Sequence, residues 1–143
     1  MKNSIHIGMN GWDDDLIDVV FSCSNGRISA QVHAYLPHDA LPTMATTLSG
    51  FASRATDRRD LALGALQLNL GSGGIQLHFH CLDSAGHPVC DVKLRNNQGK
   101  AFGEMESAAF RIPVEAASVD SFVGQLRNLK KLPGSEVFLP MAI

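Results

Sequence analysis

Residues 75–95, IQLHFHCLDSAGHPVCDVKLR, read as a β-hairpin whose two faces constrain its register. Successive side chains of a strand point to opposite faces. Ile75, Leu77, Phe79 and Cys81 therefore share one face, and Gln76, His78 and His80 share the other. On the return run Cys90, Val92 and Leu94 are apolar, whereas Asp91, Lys93 and Arg95 are charged. A turn centred on Ser84-Ala85 keeps both faces pure. It sets Phe79 opposite Cys90, Leu77 opposite Val92 and His78 opposite Asp91. A slip of one residue would bring His78 against Val92 and turn charge into the core, so burial disfavours that register. The rest of the chain is expected to be a sheet built outward from this hairpin.

Upstream, Ile5, Ile7 and Met9 alternate with polar residues, which predicts a short strand over 3–9, and Asn10-Gly11 is expected to turn the chain. Residues 16–36 read as a second hairpin with a two-residue turn at Asn25-Gly26. That turn sets Cys23 opposite Ile28, Phe21 opposite Ala30, Val19 opposite Val32 and Ile17 opposite Ala34, apolar against apolar throughout. Asp39 as N-cap, Pro42 in the first turn and Met44, Leu48, Phe51 and Ala55 at helical spacing predict a helix over about 40–54. Arg54, Arg58 and Arg59 fall near its C-terminus, where cations complement the dipole. Residues 61–70 predict a strand, and Gly71–Gly74 a turn that sets Leu70 opposite Ile75 and Leu68 opposite Leu77. Residues 96–103 form a polar loop. Phe110, Ile112 and Val114 predict a further strand. Val119, Phe122, Leu126 and Leu129 predict a helix closed by Lys130, Lys131 and Pro133-Gly134, and residues 136–139 a last short strand.

The order β-ββ-α-βββ-β-α-(β) implies an α+β fold. It would be an antiparallel, hairpin-built sheet of about six to seven strands, with two helices packed on one face. The 143 residues suit a single α+β domain, residues 1–143. A net charge of −2 argues against nucleic-acid or anionic-membrane binding driven by charge. There is no apolar signal-peptide core and no membrane-length apolar run, and the three cysteines form no CxxC pair. The expectation is a cytoplasmic protein with reduced thiols. The exposed edge of the sheet, the N-terminal strand, offers a route to a homodimer.

Candidate chemistry concentrates on the opening hairpin. His78 and His80, two apart on a strand, project to one side, and Asp91 completes a two-histidine, one-carboxylate set of the kind that holds zinc or iron. The competing reading is a solvated polar face, with Asp91 as cross-strand partner of His78. Cys81 and Cys90 are diagonal neighbours on the apolar face, too far apart for a disulfide, and read as buried thiols. Asp13–Asp15 reads as a solvated acidic bend. No nucleophile elbow, P-loop or dinucleotide fingerprint occurs, so no catalytic residue and no cofactor is expected. A third reading takes the open sheet face as a small-ligand site.

Three segments carry a family likeness. One is the helix run from Asp39-Ala40-Leu41 through Leu48 and Phe51. Another is the turn Asp83-Ser84-Ala85-Gly86-His87. The last runs from Phe110–Val114 into Val119, Asp120, Phe122, Gln125 and Leu126. In this layout the chain resembles small bacterial proteins of the immunity type that pair with wall-associated and other polymorphic toxins. The resemblance implies a non-catalytic, toxin-binding protein that acts by steric occlusion. The mild acidity of the chain turns that expectation away from a basic nuclease as target.

Overall fold

A computed structural model describes residues 2–64, 73–96 and 106–143. The strands are β1 (Ser4–Trp12), β2 (Leu16–Ser24), β3 (Ser29–Pro37), β4 (Arg59–Gly64), β5 (Gly74–Cys81), β6 (Pro88–Arg95), β7 (Ser107–Pro113) and β8 (Glu136–Pro140). The helices are α1 (Ala40–Leu48) and α2 (Ala116–Asn128). The class is the expected one, α+β with antiparallel, hairpin-built strands. These strands form two sheets of four, ordered β3-β2-β1-β8 and β4-β5-β6-β7. Both sheets turn their apolar faces to one core. Ile5, Ile7, Val19 and Phe21 of the first sheet share it with Ile75, Leu77, Phe79 and Ile112 of the second. Helices α1 and α2 pack on each other, α2 along β8 and α1 beside β4, and give Met44, Leu48, Phe122 and Leu126 to the same core. No helix among the described residues is long and apolar enough to cross a membrane.

The opening hairpin has the expected register: Phe79 faces Cys90, Leu77 faces Val92 and His78 faces Asp91. Elsewhere the differences have local causes. Asn10-Gly11 does not turn the chain. Strand β1 continues to Trp12 through a bulge between Met9 and Gly11, and the turn is made by Asp13, whose Oδ1 accepts from the Asp15 and Leu16 N–H groups at 2.8 Å each. The Asn25 loop is wider than a two-residue turn. Asn25 Oδ1 accepts from Arg27 and Ile28 N–H, and pairing begins at Ser24 with Ser29. Cys23 therefore meets Ala30, Phe21 meets Val32 and Val19 meets Ala34. The displacement is two residues along the partner strand, which preserves the faces and so leaves no trace in the hydrophobic pattern.

Helix α1 stops at Leu48 instead of 54. Gly50 takes a φ of +83°, and Phe51 enters the core from beyond the helix. Asp39 precedes the helix, yet its carboxylate makes no capping bond. Ile75 pairs with Leu63 and Leu77 with Leu61, in place of Leu70 and Leu68. The run LALGALQLNL changes phase at Gly64, whose φ of +79° ends the strand. The remainder of that expected strand and its glycine turn (65–72), and most of the polar loop (97–103), lie outside the described residues. Strand β1 is not an edge, because β8 pairs along its other side from Ser4–Pro140 to Gly8–Glu136.

Candidate functional site

The outer face of the second sheet carries the residues singled out in the sequence. Asp60, His78, Asp91 and Arg111 stand directly opposite one another across β4, β5, β6 and β7. The row is joined by side chains. His78 Nδ1 bonds the Asp60 carboxylate. The His78 and His80 rings stack with centroids 4.5 Å apart. His80 Nε2 meets Asp91 Oδ2 at 2.8 Å, and Arg111 donates to both Asp91 oxygens at 2.6 and 3.1 Å. The Arg111 guanidinium, and after it His80, hold the Asp91 carboxyl below the usual carboxylate range against the opposing effect of burial.

The three metal candidates thus share one face, with Asp91 bonded to His80 and Arg111 and not to the directly opposite His78. A guanidinium occupies the carboxylate that a cation would need. Among the described residues, no group of three or more His, Cys, Asp or Glu side chains is disposed to hold a metal ion. Beside the row lies a depression of about 440 Å³ bordered by Gln76, Lys93, Ala109 and Arg111. The Lys93 ammonium has no hydrogen bond or ion pair among the described residues.

The three cysteines are free thiols, joined in no disulfide. Cys23 and Cys90 are buried; burial pushes the Cys23 thiol up to about 12 and Cys90 well above its ordinary value. Cys81, expected to be buried, is half-exposed at the end of β5, with Sγ 3.9 Å from the Arg54 carbonyl. Its thiol is raised by desolvation and then by Asp57 and Asp83.

The outer face of the first sheet holds a second constellation. His6 lies opposite Ser22 on β2 and Phe138 on β8. Its Nε2 is 2.8 Å from Glu136 Oε2, and Lys2 Nζ lies 5.4 Å from the Phe138 ring centroid. With Ser4 these side chains line a cavity of about 520 Å³. No hydrogen bond joins Ser22 to His6 among the described residues, so this is not a nucleophile–base pair. Ser22 Oγ instead accepts from Gln31 Nε2 at 3.1 Å. The sequence concealed this site because Glu136 and His6 are 130 positions apart, and only the pairing of β8 with β1 unites them.

No family model matches the chain, and neither a curated protein nor a solved structure matches it.

Proposed function

We propose that the chain is a non-catalytic cytoplasmic binding protein. Its working surface is the outer face of the second sheet, and its partner is a protein toxin that it neutralises by covering. The observation that carries this reading is the four-strand row Asp60, His78, Asp91 and Arg111, in which His78 bonds Asp60 and Arg111 bonds Asp91 across paired strands. A charged pattern held by rigid strands discriminates partners by complementarity and fixes the register of docking. The depression next to it, with Lys93 at its border, accommodates a protruding acidic side chain of the partner. The likeness to immunity-type proteins over 39–51, 83–87 and 110–126 supports the same reading.

The test is protection in cells that produce the protein encoded directly upstream. Co-production of the chain is expected to restore growth, and Arg111→Glu to abolish that protection. Glu136→Gln, on the opposite sheet, is expected to keep it. A harmless upstream product, or full protection by Arg111→Glu, would sink the proposal.

A further inference from the structure

We propose that the outer face of the first sheet is a binding site for a neutral, polyhydroxylated small molecule of the sugar type. The site goes beyond the protein-binding face described above and lies on the other sheet. Its basis is the cavity of about 520 Å³ beside the His6–Glu136 pair, a volume within the range of small-molecule sites.

The lining offers hydrogen bonds of both polarities. Ser22 Oγ accepts from Gln31, which leaves its O–H to donate. His6 is bonded through Nε2 to Glu136, and its Nδ1 has no partner among the described residues. With the proton on Nε2, Nδ1 is an acceptor. The Glu136 carboxylate, two-thirds exposed, supplies further acceptors at the rim. Vicinal hydroxyls, each both donor and acceptor, satisfy such a set, whereas a purely cationic or anionic group satisfies half of it.

Charge leads to the same class. Among the described residues, Lys2 and Glu136 are the lining's one cation and one carboxylate, so the field favours neither sign of ligand. The Phe138 ring supplies an apolar plate for the C–H face of a pyranose. Lys2 now stands over that ring. An exposed cation–π contact is worth only about 0.5–1 kcal/mol, so it is readily exchanged.

The sheet accommodates the cavity at a cost to strand propensity. Ser4 and Ser22 stand in its lining, at strand positions where β-branched or aromatic residues are ordinarily favoured. Local choices that work against the element point to use of the surface.

The experiment is a ¹H–¹⁵N NMR titration of the full chain with cellobiose, maltose and N,N′-diacetylchitobiose, with citrate and spermidine as charged comparators. At least one disaccharide is expected to shift the amides of Ser4, His6, Ser22 and Phe138 saturably. Ser22→Leu, which fills the floor, is expected to weaken that binding at least about tenfold. If circular dichroism shows that Ser22→Leu misfolds, Phe138→Ala serves as the second variant, with the same expectation. Lys93→Glu, on the other sheet, is expected to leave the titration unchanged, so failure here and failure of the toxin-binding reading are read separately. The proposal is overturned if no disaccharide gives saturable shifts, if the floor and plate variants bind as well as the parent, or if only citrate or spermidine binds.

Discussion

Asp57 is a buried carboxylate that ties two elements together. It accepts from Arg59 Nε and Nη2 at 2.8 and 2.9 Å and from the N–H and hydroxyl of Ser53 at 2.9 Å each. Arg59 Nη1 donates in turn to the carbonyls of Thr47 and Ser49, which the end of α1 leaves without helical partners. Asp57→Asn removes the charge from this staple and is expected to cost about 2 kcal/mol, read as a lowered urea midpoint at an unchanged slope. The pH dependence follows from the direction of the shift. Arg59, and after it Ser53, hold the folded carboxyl below its ordinary value against the opposing effect of burial. The folded chain therefore binds fewer protons than the unfolded one in acid, and stability rises with pH there. The contribution is complete above the unfolded carboxyl pKa of about 4 and is lost as pH falls through the lower folded value. Urea titrations below about pH 4 should show a shallower loss in Asp57→Asn than in the parent; equal slopes would refute this assignment. The arginine cluster after the helix was visible in the sequence, but its role was not. Arg59 reaches the carbonyls at Thr47 and Ser49 by folding back over a bend, which no local spacing encodes. Asp91 carries a second residue-scale expectation. With Arg111 on both its oxygens, the purified protein should hold zinc or iron well below one equivalent by elemental analysis; a full equivalent lost in His80→Ala would reverse that.

Among the elements, β8 is the shortest strand at the edge of the first sheet, and α2 completes it. Gln125 donates its amide N–H to the Phe138 carbonyl at 3.1 Å and accepts the Phe138 N–H at 2.9 Å. One side chain thus does for this residue what a neighbouring strand would do. An uncovered strand edge is a template for pairing with other chains. Gln125→Met retains helix propensity and loses both bonds, so it is expected to cost about 1–2 kcal/mol. It should also introduce concentration-dependent association in sedimentation velocity, and a monodisperse, equally stable variant would count against the edge role. In the sequence Gln125 stood only within the segment that carries the family likeness, with no local signal linking it to residues 136–139. Strand existence was legible from alternation, and the β5–β6 register from a pattern that excludes a one-residue slip together with a turn centred on Ser84-Ala85. The β2–β3 register was not, because a displacement of two preserves every face. The β4–β5 register was not, because leucines at 61 and 63 and at 66, 68 and 70 are equally apolar and differ only in phase.

At the scale of the whole molecule, the division into two sheets was hidden for a related reason. Hairpins announce themselves locally, but the pairing of β1 with β8 and the facing of one sheet on the other depend on contacts far apart in sequence. The clearest seam between the sheets is at Gly73. Its N–H donates to the His33 carbonyl of β3 at 2.8 Å. A Cβ built there would stand 2.1 Å from Val32 Cγ2, 2.7 Å from the Arg95 carbonyl and 3.1 Å from the His33 carbonyl. Two of these neighbours are backbone oxygens of opposite sheets, so rotation of a side chain cannot relieve the clash. Gly73→Ala must move β3 away from β5 and β6, losing the hydrogen bond and loosening the core beneath it. The expected cost is about 2–4 kcal/mol in urea unfolding. Gly11→Ala is the matched comparison, because a Cβ at Gly11 meets nothing within 4 Å, and it should unfold within about 0.5 kcal/mol of the parent. If the seam holds the two outer faces in fixed relation, Gly73→Ala should also broaden amide resonances on β3 and β5 together, while those of α2 and β8 stay sharp. Equal stability of the two glycine variants would mean that the sheets are held by their shared core alone.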